Sequence, residues 1–247
     1  MKKDLAKKKK AEKGFSLLES LISLFLFLLV VLFSHDCFTA VRSHFFELKT
    51  SEEWNTAAYS ALDRIKRDLL EAGWGLTEAM SQAILEGIKE EEGALILLSR
   101  EEDLPLAGDL AIGQQMIEVE SVSHIKRGQH ICIFDSSGGE VHSVASVDQD
   151  SIVLTSPLNA GYMQKDTSMV SLREISLYFD DSRGVIRRGV NASPAQPLLE
   201  DVASFGFDYL MDSNLVRVFF NLKMDEEENH ETVVFPKNTA MVSFQGK

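Results

Sequence analysis

The chain has 247 residues, with 25 Lys and Arg against 38 Asp and Glu, a formal net charge of −13 and 45% hydrophobic residues. Such acidity argues against nucleic-acid binding, because phosphates are repelled, while the apolar fraction supplies material for a folded core. Two cysteines, Cys37 and Cys132, do not make a disulfide framework and read as unpaired.

Residues 1–14 form a basic leader with seven lysines against Asp4 and Glu12, a net +5. Without that leader the chain's −13 becomes −18. From Phe15 onward nearly every residue is apolar as far as Phe33. About 19 residues at ~1.5 Å rise span roughly 28 Å, one bilayer core. Residues 15–34 are therefore predicted to be the transmembrane half of a helix. The lysine-rich flank is expected on the cytoplasmic side and the globular part outside. An ordinary secretory signal is excluded by the length of the run and by the lack of a small-x-small cleavage site after it. A lipoprotein reading fails as well, since Cys37 follows Ser34, His35 and Asp36.

Glu19 interrupts the run. An intramembrane carboxylate is costly and usually has a partner, and the next basic residue along the chain is Arg42. One reading keeps it protonated or lets it reach the headgroups at the membrane edge. The other gives it a new α-amino group, created on Phe15 by a cut after Gly14, on the same chain or on a neighbour.

Residues 35–73 are predicted to continue the helix in amphipathic form. Phe38, Val41, Phe45 and Leu48, then Ala58, Leu62, Ile65 and Leu69, recur at helical spacing, with polar residues between them. Neither Pro nor Gly occurs from Phe15 to Ala72, and Gly73 suits a left-handed C-cap. One helix of about 58 residues, roughly 87 Å, follows. Two helices broken near His35 and Asp36 are the alternative.

Residues 74–115 read as a connecting region, with an ambiguous stretch at 77–87, a buried strand at 94–99 and a charged loop at 100–109. Residues 116–172 read as a β-rich insertion with a turn at 135–139. Residues 173–247 read as a C-terminal antiparallel sheet. There Phe205, Phe207 and Tyr209 alternate with polar or small neighbours, as do Val216, Val218, Phe220, Leu222 and Met224. Residues 211–214 make the hairpin turn between them, and further strands are expected at 230–235 and 239–244. Exposed strand edges would suit subunit packing. The charge runs at 89–92 and 225–229 read as solvated faces. The fold class is thus α+β, a long helix packed on an antiparallel sheet.

Motifs for chemistry are lacking. No nucleophile elbow, zinc-protease helix, P-loop or C-x-x-C is present, and the six histidines show no metal spacing. His130 and His142 flank the 135–139 turn and could meet across a hairpin, although exposed strand histidines are the commoner case. The acidic strings at 148–151 and 180–184 hold oxygen ligands for Ca²⁺ but read better as β-turns. No catalytic residue, cofactor or metal site is expected, so the chain does not read as an enzyme.

The junction "KGFSLLESL" resembles the leader junction of type IV prepilins and type II secretion pseudopilins: a short basic leader, Gly, an aromatic or Met, and Glu five residues after the cut. Gly14, Phe15 and Glu19 match residue by residue. The resemblance implies cleavage between Gly14 and Phe15 by a membrane aspartyl prepilin peptidase and N-methylation of Phe15. It also implies pairing of Glu19 with a neighbour's N-terminal amine during subunit assembly. Farther along, Tyr178, Gly184, Arg187, Val202, Phe205, Phe207 and Tyr209 are similar to a pattern of PilW-type minor pilins and J-type minor pseudopilins. That likeness implies a type IV pilin-like fold with an inserted β-rich segment. It also implies a non-catalytic subunit in the inner membrane that primes or caps a type IV pilus, with its globular domain possible at the pilus tip. Its partners would be other major and minor pilins and an inner-membrane assembly platform. The alternatives are a minor pseudopilin of a type II secretion system and, in another class, an uncut single-span protein that captures a ligand in its β-domain.

Overall fold

The computed structural model describes residues 17–122 and 124–239. The leader, Gly14 and Phe15, and residues 240–244 of the strand expected at 239–244 lie outside the described residues. The described chain divides into two units, with the boundary between Asn55 and Thr56.

Helix α1 runs from Leu17 to Glu71. The uninterrupted Pro- and Gly-free run supports this length, and no break occurs near His35 or Asp36. In the first unit no helical residue is buried. In the second unit the helix buries Ala58, Ala61, Leu62, Ile65, Asp68 and Leu69, one stripe at 3.6-residue period. It ends at Gly73, whose φ of 74° is left-handed and open to glycine without steric cost.

The rest of the second unit holds a short α-helix, a 3-10 turn at Gln164–Asp166 and twelve strands among the described residues. Helix α2 covers Thr77–Ser81. The strands are β1 (Ile88–Glu91), β2 (Ala94–Asp103), β3 (Met116–Glu118), β4 (His130–Asp135), β5 (Gly138–Val147) and β6 (Ser151–Leu154). They continue with β7 (Ser168–Asp180), β8 (Val185–Val190), β9 (Gln196–Leu199), β10 (Val202–Leu210), β11 (Leu215–Leu222) and β12 (Asp225–Val234). One sheet runs β1-β2-β7-β4-β5-β6-β3, with β8 also on β7 and β9 on β8. A second sheet is β10-β11-β12. All pairs are antiparallel. The architecture is α+β, a long N-terminal helix followed by a β-rich domain.

Strand β7 organises the core. One of its edges pairs with β2, while the other pairs with β4 near its start and with β8 near its end. Its alternating side chains feed three clusters. Ile175 and Leu177 join Leu95, Leu97, Val216 and Val218 against Ile65 and Leu69 of α1. Met169 joins Ile131, Ile133, Ile117 and Ile152 in a lobe made largely by β3–β6. Val170 and Leu172 face the other way, to Ile96, Leu98, Cys132 and the α2 residues Ala79 and Met80. The period of two thus gives each face of the sheet its own apolar layer.

One expectation about a charged segment changes. β2 continues to Asp103, through residues 100–103 that read as loop, by way of an irregularity between Arg100 and Glu102. There backbone pairing overrides side-chain polarity. The charge run at 225–229 lies in β12, paired with β11, and Glu228 and Asn229 are exposed, as a solvated face requires. Strand β7 also crosses the boundary expected at 172/173, and Thr239 lies in a helical turn.

Asp68 is the charged side chain most deeply set in α1, 2% exposed. Arg188 of β8 donates to it twice, from Nε at 2.6 Å and from the guanidinium NH₂ at 3.0 Å. Arg64, one turn earlier, lies 3.6 Å away. The bidentate fork satisfies the carboxylate that the stripe carries into the core.

Candidate functional site

The N-terminal half of α1 is the first candidate. Leu17, Leu18, Leu21, Ile22, Leu24 and Phe25 are all more than half exposed, and apolar residues surround the helix rather than forming one stripe. A helix apolar on all sides belongs in hydrocarbon or among other helices. Among the described residues α1 is the one helix long and apolar enough to cross a membrane. Glu19 lies in its first turn, where a carboxylate complements the helix dipole. Beyond this run Phe38, Val41, Phe45 and Leu48 are exposed too, so the amphipathic stripe has no cover within the first unit.

His130 and His142, which could have met across the hairpin, do not, and His142 is not the exposed strand histidine expected. His130 registers with Ser143 and His142 with Ile131, so the two rings project from opposite faces of the sheet. His130 Nδ1 lies 3.1 Å from Ser143 Oγ. His142 is buried and gives Nε2 to Glu140 at 2.7 Å, while its Nδ1 lies 2.9 Å from Ser156 Oγ. Glu140 also accepts from Asn159 N at 3.0 Å, Asn159 Nδ2 at 2.8 Å, Ala160 N at 3.2 Å and Tyr162 OH at 3.0 Å. Burial opposes its ionisation, but donors on Asn159, His142, Ala160 and Tyr162 outweigh burial and hold its pKa at about 2. Tyr162 is raised, chiefly by burial and then by Glu140. The cluster clamps the 156–162 loop over the β4–β5 hairpin. Only the alternation of Glu140 and His142 on one strand face hinted at it in the sequence.

The acidic turn at 180–184 is internally satisfied. Asp180 accepts from Ser182 Oγ at 2.7 Å and Arg187 Nε at 2.9 Å, and these contacts hold its carboxyl below the usual range. Asp135 accepts from Ser137 N and Oγ at 2.7 and 2.6 Å. Among the described residues no three His, Cys, Asp or Glu side chains are grouped to hold a metal ion. Cys37 is exposed and Cys132 buried, and both are free thiols. Burial pushes the Cys132 thiol up to about 12.

Trp74 follows the Gly73 at which the sequence places the helix stop. In the structure Gly73 and Gly75 flank it, both left-handed at φ 74° and 72°, and the indole is 57% exposed. Gly73 N donates to Leu98 O at 2.7 Å and Arg100 N to Trp74 O at 2.9 Å, fixing the turn to β2. The signal available in the sequence was an aromatic residue bracketed by glycines.

Comparison with known proteins gives a class first. The family model for the prokaryotic N-terminal methylation motif matches residues 9–34, a span that includes Gly14, Phe15 and Glu19. That motif at the head of a long apolar helix, followed by an antiparallel β-domain, supports a type IV pilin-like family for this chain. Such a motif implies processing by a prepilin peptidase and assembly with other pilins in a membrane complex. A search of curated proteins finds no match. Among solved structures, the tailspike gp49 from Pseudomonas phage LKA1 is 22% identical over 28% of this chain and 14% of its own, with a TM-score of 0.26. The Gp54 tailspike of Acinetobacter baumannii bacteriophage AP22 is 21% identical over 31% and 15%, with a TM-score of 0.28. The match thus spans about one seventh of either tailspike, and at these scores it bears on neither fold nor function.

Proposed function

We propose that this chain is a minor pilin of PilW-like type, a non-catalytic subunit that primes or caps a type IV pilus. The observation that carries the reading is the matched motif at residues 9–34, placed directly before a helix whose apolar residues are exposed on all sides. In this reading the basic leader lies on the cytoplasmic side and the β-domain is extracytoplasmic. Prepilin peptidase cuts between Gly14 and Phe15, Phe15 is N-methylated, and α1 then packs with other pilins on an inner-membrane assembly platform. Glu19 takes the N-terminal amine of a neighbouring subunit, an ion pair that low dielectric makes register-specific.

Intact mass of protein extracted from membranes tests processing. The expected mass lacks residues 1–14 and carries one added methyl group. Protein retaining Met1 in cells with an active peptidase would overturn the reading and favour an uncut, single-span ligand-binding protein. Assembly is tested separately by Glu19→Ala. This variant is expected to insert and to be cut, but to lose co-purification with partner pilins from detergent extracts. Glu19→Asp should retain part of it. Undiminished co-purification of Glu19→Ala would remove Glu19 from assembly without touching the processing result.

A further inference from the structure

A cleft lies on the α1 side of the main sheet, between the end of the helix and the β3–β6 lobe. Near the helix it is lined by Trp74, Glu71, Arg100 and Arg173, with a volume of about 600 Å³. Glu101 and Val190 continue it into a second compartment of about 350 Å³, lined by His124, Lys126, Arg127 and Gln129. Clefts of this size between lobes are the usual place for small ligands.

We propose that this cleft binds a saccharide whose repeat carries a carboxylate on only some of its rings. The inference stands apart from processing and assembly, because every lining residue lies in the folded β-domain or its helix end. Three observations carry it. First, the left-handed Gly73 and Gly75 hold the indole of Trp74 outward at the cleft mouth, a flat apolar surface for one face of a pyranose ring. A Cβ at Gly75 would meet Arg100 Cβ at 2.9 Å, so Arg100 lies directly against that turn. Second, the walls alternate acceptors and donors rather than presenting one sign. Arg173 gives an N–H to Glu71 at 2.9 Å. Glu101 is held by Gln129 Nε2 and by Asn191 Nδ2, the latter at 3.2 Å. Preset carboxylates beside guanidiniums suit sugar hydroxyls, which both donate and accept. Third, the floor is polar and nearly buried. Gln129 is 2% exposed and Ser99 6%, and the Ser99 hydroxyl takes no hydrogen bond from the described residues.

Charge selects among ligands. Lys126 and Arg127 are exposed at one end and form no ion pair among the described residues, in a chain of net −13. They offer a place for an isolated carboxylate. A nucleic acid carries a phosphate at every residue and would set several against Glu71 and Glu101. A sparsely charged glycan places hydroxyls there instead.

Isothermal titration of the full chain in detergent micelles with hyaluronan hexasaccharide, which bears one carboxylate per two rings, is the test. Saturable binding is expected, weakened at least ~10-fold for hexa-N-acetylchitohexaose, a neutral chain of equal length, and at least ~10-fold by Trp74→Ala. The double variant Lys126→Gln, Arg127→Gln should weaken hyaluronan but leave hexa-N-acetylchitohexaose unchanged. Circular dichroism confirms folding of each variant. In a Trp54→Phe background, fluorescence of the remaining Trp74 should shift on titration. Absence of saturable binding, equal affinity for the neutral chain, indifference to Trp74→Ala, or tighter binding of a single-stranded DNA dodecamer would each overturn the proposal.

Discussion

The two units of this chain use the same helical alphabet to opposite ends. Between Leu17 and Asn55 the apolar residues of α1 are exposed, and no residue is buried. From Thr56 the same 3.6-residue rhythm meets strands β2, β7 and β11, and Ile65 and Leu69 become fully buried. Apolar periodicity therefore states that a face must be covered but not by what. In the second unit the chain covers itself, whereas in the first the described residues leave the apolar face uncovered.

The strongest way to break this contrast is electrostatic. Asp68→Ala leaves Arg188, only 13% exposed, without its bidentate partner, and is expected to lower stability by about 3–5 kcal/mol. Lys49→Ala removes an exposed pair, Lys49 to Glu53 at 3.6 Å, and should cost less than about 0.5 kcal/mol. Urea unfolding of the full chain in mild detergent, followed by the β-sheet dichroism, gives both. Equal costs would mean that the second unit does not carry its own core.

A matched apolar pair sharpens the same point. Ile65→Ala should cost about 2–5 kcal/mol, because Ile65 is 0% exposed. Leu24→Ala, at a residue 60% exposed, should leave the unfolding of the β-domain within about 0.5 kcal/mol of the parent. The same urea titration reads both.

A smaller effect comes from acid. Glu140 has a folded pKa of about 2 against an ordinary 4.5. The folded state thus binds the proton more weakly than the unfolded state. Its contribution is complete above about pH 4.5 and is lost as pH falls toward 2. The loss should be roughly 2–3 kcal/mol. Glu140→Gln should flatten that limb of a stability-against-pH curve, and an unchanged acid limb would show that the loop clamp contributes nothing.

Local patterns made the fold class legible. A Pro- and Gly-free run with a regular stripe gives the long helix. The alternation through Phe205, Phe207 and Tyr209 and through Val216, Val218 and Phe220 gives the β10–β11 hairpin, because one face of each strand is apolar. What escaped were features set by distant partners. The pairing of Leu97 with Ile175 leaves no local trace. Residues 100–103 looked like loop because their charges hide a backbone that pairs with β7 at Arg100, Glu102 and Asp103. At the site level the motif at residues 9–34 was readable because it is contiguous. The Trp74 cleft was not, since its walls come from Glu71, Arg100, Arg173 and Lys126, which only the folded sheet assembles.

The position of β7 has a consequence for how the chain acquires its shape. β2 is made early along the polypeptide and pairs at once with β1, yet on its other edge Leu95 meets Leu177 only when β7 is made. The β4–β6 strands can pair among themselves in the interval, as sequential antiparallel neighbours do at little loop-closure cost. All three apolar clusters contain residues of β7, so none is closed before that strand emerges. A chain emerging in N-to-C order exposes Leu95, Leu97 and the stripe of α1 until residues 168–180 arrive. The ordering of strands thus sets a waiting time during which those apolar faces stay uncovered.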